Sequence, residues 1–91
     1  MNTETYKLGE ELDSFNSEGV QKGILALLEQ GGSVVLDMTA CKYISSSGLR
    51  VLLYTKKVAA SNGLNIYLKD VSAEVKDIMD VTGFNNFFDY A

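Results

Sequence analysis

The sequence predicts an α/β fold: a four- to five-stranded, mostly parallel or mixed sheet with three main helices packed largely on one face. Three observations predict it. Short apolar runs suited to strands alternate with amphipathic stretches at helical spacing, the order that right-handed βαβ crossovers require. Glycine-containing dipeptides separate these stretches, and proline is absent. At 91 residues, 46% of them hydrophobic and 22% charged, the chain is sized for a single folded domain over 1–91, and it shows no linker, repeat or low-complexity tract. So few short strands and helices cannot cover both faces of a sheet, hence the one-sided expectation.

Thr3 to Leu8 is short and polar, consistent with an edge strand, and Gly9 to Asn16 reads as a turn leading to a helix cap at Asn16. Val20, Gly23, Ile24, Leu27 and Leu28 then recur at helical spacing until Gly31-Gly32 ends the pattern. Val34-Val35-Leu36 is a continuous apolar run, which suits a central strand covered on both faces. Asp37 to Tyr43 reads as a loop. Leu49, Leu52, Leu53, Lys56 and Ala60 trace a second helix that ends near Asn62-Gly63, with Leu52 and Leu53 assigned to the core. Leu64 to Leu68 supplies another strand. Ser72 caps a third helix whose Val75, Ile78 and Met79 face inward and which ends at Thr82-Gly83, before Phe84, Phe87, Phe88 and Tyr90 close the chain.

Several chemistries find no support. Eight basic against twelve acidic residues give a net charge of -4, so no broad positive field exists to collect phosphate backbones, and direct nucleic-acid binding is not expected. The sequence has no histidine, one cysteine, and neither a GxxxxGK[ST] nor a GxGxxG motif, which leaves no Ser-His-Asp triad, no Cys-rich metal site and no phosphate loop. No enzyme, cofactor or metal is expected. Asp70, Glu74, Asp77 and Asp80 on or beside the third helix, and Lys56-Lys57 on the second, read as solvated faces. Cys41 lacks a partner base and reads as structural. The opening residues lack a basic n-region and an apolar h-region, and no apolar run reaches the roughly 18 residues of a membrane span. A cytoplasmic protein without direct membrane insertion is expected.

Ile44-Ser45-Ser46-Ser47-Gly48-Leu49 lies between a strand and a helix, which puts three hydroxyls at a positively polarised helix N-terminus. One serine suffices as an N-cap. The others leave two readings open: a cap and nothing more, or a site where an added phosphate, carrying about -1.5 to -2 charges, faces unpaired N–H groups and repels a partner packed over the turn.

Val34 to Thr39 followed by Tyr43 to Leu53 resembles the central signature of the STAS family, which includes the anti-sigma-factor antagonists. Weaker agreement extends to Gly9 to Asn16, to Val81 to Phe84 and to Phe87-Phe88. The resemblance implies a bacterial, non-enzymatic regulator that captures an anti-sigma factor, often itself a serine kinase, and so frees a sigma factor. Phosphorylation by the kinase ends the capture and a phosphatase resets it. Matching the motif puts Ser46 at the phospho-acceptor and Ser45 at the position of the family's aspartate, with Ser45, Ser46, Ser47, Gly48, Leu49 and Arg50 as the partner-binding surround. Arg50, four residues past Ser46, is placed to reach a phosphate or an acidic patch. The alternative is a phosphorylation-independent STAS adaptor subunit of a transport or other signalling complex. Against the family pattern, the N-terminal strand region looks shortened, which leaves a sheet edge open to self-association, and the C-terminus looks shortened as well.

Overall fold

The computed structural model describes residues 3–91. Among them, the chain runs β1 (Glu4–Lys7), β2 (Glu11–Leu12), α1 (Ser17–Glu29), β3 (Val34–Asp37), β4 (Tyr43–Ile44), α2 (Ser46–Ser61), β5 (Ile66–Lys69), α3 (Ala73–Thr82), a 3₁₀ turn (Phe84–Phe87) and β6 (Asp89–Tyr90). Four strands form one sheet in the order β1-β3-β5-β6, every pair parallel, and β2 and β4 form a separate parallel two-residue pair.

Register explains the one-sided cover. Val34 and Leu36 of β3 align with Ile66 and Leu68 of β5, and all four are buried on the face that meets the helices. Side chains alternate along a strand, so Val35 and Tyr67 point to the other face, where they are half-buried. The expectation that Val34-Val35-Leu36 is covered on both faces is therefore corrected. On that open face Lys7, Asp37 and Lys69 stand in register across three strands. The edge strand expected at Thr3 to Leu8 is β1, and among the described residues no strand pairs with its outer side.

The helices begin and end for local reasons. Ser72 accepts the Val75 N–H at 3.2 Å to start α3, and Gly83, at φ 77, ends it in the left-handed conformation that glycine adopts without strain. Asn16 is the N-cap of α1, but its side chain makes no cap bond. Its amide turns back, accepting from the Asp13 N–H at 2.9 Å and donating to the Glu11 carbonyl at 2.7 Å, and so braces the β2–α1 loop. In α1, Ile24 and Leu28 are buried. Gly23 admits the Tyr6 ring, because a Cβ there would sit 2.5 Å from it.

Helix α2 differs most from expectation. Its buried side is Gly48, Leu49, Val51, Leu52, Thr55 and Ala59, whereas Leu53 and Lys56 are half-buried and Ala60 is exposed. Thr55 tolerates full burial because its hydroxyl donates to the Val51 and Leu52 carbonyls, at 2.9 and 3.0 Å. Leu53 is thus not core. Lys56 is not simply solvated: its ammonium donates to Asn65 Oδ1 at 3.0 Å and pairs with Asp89 at 3.2 Å, tying α2 to the ends of β5 and β6.

Candidate functional site

The serine turn is built by the smallest piece of sheet in the protein. Leu12 of β2 lies opposite Ile44 of β4, and the Leu12 carbonyl accepts the Ser45 N–H at 2.9 Å. That bond fixes where β4 stops. Ser45 has extended backbone geometry (φ -82, ψ 173), its Oγ accepts the Gly48 N–H at 3.2 Å, and its carbonyl accepts the Leu49 N–H at 2.9 Å. It is the N-cap. An aspartate would cap equally well, so serine at this position keeps the cap and removes a negative charge.

Ser46 is the first helical residue and is exposed; no hydrogen bond among the described residues engages its hydroxyl. The N–H groups of Ser46 and Ser47 point out of the helix end, a position that favours an anion by partial positive charge and by free donors. Ser47 is half-buried in a crevice between the starts of α1 and α2 that also contains Ser17, Gln21, Arg50 and Tyr54. Arg50 is exposed and borders both this crevice and a depression of about 260 Å³ formed by Ser46, Leu49, Leu53, Thr82 and Phe84.

Two of the sequence-assigned contact residues belong to the interior. Gly48 is buried, and a Cβ on it would lie 2.6 Å from the Leu12 carbonyl oxygen and 2.9 Å from an Ile44 methyl. Its lack of a side chain lets the chain's own backbone approach, not a partner's, because α2 starts directly against β2 and β4. Leu49 is 3% exposed and forms the floor of the depression. The outward-facing set is Ser46 and Arg50, with Ser45 and Ser47 half-buried beside them.

Sequence reasoning missed two exposed apolar side chains, one in the loop after β2 and one at the end of α3. Phe15, in the loop that follows β2, is 96% exposed, and Val81, beside Thr82 at the end of α3, is 87% exposed. A phenylalanine among the turn formers Asp13, Ser14 and Asn16, with no helical or strand period to place it in the core, was the available signal. Asp13 holds that loop: its carboxylate accepts the Phe15 N–H at 2.9 Å and the Asn16 N–H at 3.3 Å.

The remaining ionisable features support the fold. Asp37, at the end of β3, accepts the Thr39 hydroxyl at 2.6 Å and the Thr39 N–H at 3.0 Å, and these bonds hold its carboxyl below the usual carboxylate value. Cys41 is a buried free thiol, and burial pushes its pKa up. Asp70, Glu74, Asp77 and Asp80 are all exposed. Among the described residues, no group of three or more side chains is placed to hold a metal ion, and no helix is long and apolar enough to cross a membrane.

The fold and the turn together define a parallel α/β domain with a capped helix start and, among the described residues, an exposed Ser46 hydroxyl that no hydrogen bond engages. Comparison with known proteins sharpens this: the STAS domain family matches residues 2–90, and the chain belongs to that family. It is 31% identical over 81 residues to BtrV of Bordetella bronchiseptica, covering 88% of this chain and 70% of that one. It is 25% identical over 79 residues to the anti-sigma-B factor antagonist of Bacillus subtilis, covering 87% and 72%. Among solved structures, a sulfate transporter family protein from Wolinella succinogenes superposes with a TM-score of 0.81 at 20% identity, over 97% of this chain and 77% of that one. The phosphorylated form of the Bacillus cell fate determinant SpoIIAA superposes with a TM-score of 0.71 at 18% identity, over 96% and 80%.

Proposed function

We propose that this protein is an anti-sigma-factor antagonist: it binds an anti-sigma factor through the Ser46 turn, and phosphorylation of Ser46 ends the binding. The observation that carries the reading is the placement of Ser46, whose exposed and unengaged hydroxyl stands at the start of α2. Relatives bearing the antagonist name support it. The partner is an anti-sigma factor that is also a serine kinase, a phosphatase resets the switch, and the setting is the cytoplasm.

The turn suits a switch that leaves the fold intact. A phosphate on Ser46 would project into solvent near free helix N–H groups and one helical turn from Arg50, so the domain accommodates it. A partner seated on the turn would have to desolvate that dianion, which weakens the complex. Phe15, in the loop between β2 and α1, and Val81, one residue before the Thr82 that shares a depression with Ser46, offer exposed apolar area to a partner, and Arg50 offers a cation for an acidic group on it.

Incubation with ATP and a candidate anti-sigma kinase, followed by mass-spectrometric mapping, tests the assignment. Phosphate on Ser46, abolished by Ser46→Ala, is the expected result. Stoichiometric phosphate on another residue would refute it. The adaptor alternative lacks a switch and predicts no modification, with recovery in a membrane-associated assembly; the likeness in fold to a sulfate transporter family protein keeps it as the second reading.

A further inference from the structure

We propose that the outer side of α2 is a docking groove for an acidic amphipathic helix presented by a protein partner. Two depressions lie end to end along this helix and share Leu53. The first, of about 260 Å³, starts at Ser46, and the second, of about 340 Å³, is lined by Leu53, Lys56, Lys57, Ala60 and Phe87. From Ser46 to Ala60 the groove follows α2 for about 21 Å, which matches some fourteen residues of a partner helix.

The chemistry of the groove selects the occupant. Its floor is apolar: Leu53 is half-buried, Phe84 is half-buried and Phe87 is 55% exposed, with the two phenylalanine rings 6.1 Å apart. Its rim is basic. Arg50, Lys56 and Lys57 account for three of the eight basic residues of a chain whose net charge is -4, and no acidic side chain lines either depression. Asp89 neutralises Lys56 from outside the lining, whereas Arg50 and Lys57 are exposed and take part in no ion pair among the described residues. An apolar floor between unpaired cations fits a helix with leucine-like anchors on one face and carboxylates beside them.

The same positions explain why α2 departs from the expected stripe. Leu53 and Ala60 belong to the apolar pattern of the sequence but face outward, so they form a second apolar side that the chain itself leaves uncovered. Continuity with the Ser46 turn lets one partner engage both, a point that rests on the function proposed above; the groove's composition does not depend on it.

The test is a titration of the full ¹⁵N-labelled chain with a 15-residue peptide that carries leucines at i, i+3, i+7 and i+10 and glutamates elsewhere on its polar side. A twin peptide with lysine for every glutamate is the control. Amide shifts should concentrate at Leu53, Lys57, Ala60 and Phe87 and weaken as salt rises. Leu53→Asp should weaken binding at least tenfold and Lys57→Glu about threefold; Lys57 is exposed, so its variant should melt like the parent, and a melt of the half-buried Leu53 variant, read beside Leu53→Ala, shows that the loss comes from a folded protein. Equal binding by the lysine peptide, shifts centred elsewhere, or no shifts at millimolar peptide would overturn the proposal. Groove shifts that appear with protein concentration alone would show a second copy as the occupant and overturn it too. The titration uses no kinase, phosphate or anti-sigma factor, so its failure and the failure of the Ser46 reading are separate results.

Discussion

A Cβ on Gly48 would lie 2.6 Å from the carbonyl oxygen of Leu12, the same oxygen that accepts the Ser45 N–H. One backbone atom thus fixes both the cap and the third residue of α2, and the position of Ser46 between them follows. Gly48→Ala has to push α2 off β2 and β4. The added methyl group should destabilise the protein by about 1–3 kcal/mol despite alanine's better helix propensity. Urea melts of the two proteins measure this; an alanine variant as stable as the parent would show that the contact yields easily.

Ser45 should be sensitive to truncation and Ser46 should not. Ser45→Ala removes the acceptor of the Gly48 N–H and should lose about 1 kcal/mol, whereas Ser45→Asp retains the cap and should match or exceed the parent. Ser46→Ala removes a hydroxyl that bonds to nothing among the described residues, so its stability should stay within about 0.5 kcal/mol of the parent. Thermal melts of the three variants check the order.

Phe15→Ala should leave stability unchanged, because a side chain 96% exposed contributes almost no burial, yet it should weaken partner binding at least tenfold. Calorimetric titration against the anti-sigma factor reads the affinity, and a melt reads the fold. Unchanged affinity would remove Phe15 from the interface.

The Lys56–Asn65–Asp89 cluster predicts a pH dependence. The Asn65 amide, 2.7 Å from the Asp89 carboxylate, and then Lys56 hold that carboxyl below its usual pKa. The charged form is the one that the folded state favours. Its stabilisation is therefore fully present above the usual carboxylate value and is lost as pH falls through the lowered one. Asp37 adds a shift of the same sign, caused first by the Thr39 hydroxyl. Asp89→Asn should flatten part of the acid limb in a plot of stability against pH, and an unaltered acid limb would contradict the assignment.

The helix ends and the order of the longer elements were the legible part of this fold. Ser72, Gly83 and the Asn62-Gly63 stop carry their turn chemistry in the residue itself, and they stand where the sequence put them. The two-residue strands β2 and β4 were not legible, because two residues define no period and their pairing joins segments about thirty positions apart. That pairing is what positions the candidate site. Ser45 and Ser46 were both singled out through the motif, whereas capping chemistry required only that one of the three serines be the cap, and the structure assigns that role to Ser45. The burial of Gly48 became visible only once Leu12 was seen beside it, and the outward turn of Leu53 only once the buried side of α2 was seen to run through Val51, Leu52 and Thr55.

The measurement that bears most directly on the central claim is the affinity of the anti-sigma factor for the parent chain and for Ser46→Asp, read by calorimetry with melts of both proteins alongside. The account predicts at least a tenfold loss of affinity, about 1.4 kcal/mol or more, with the melting temperature held or slightly raised by a carboxylate at the start of α2. Equal affinity for the two proteins, each fully folded, would contradict it.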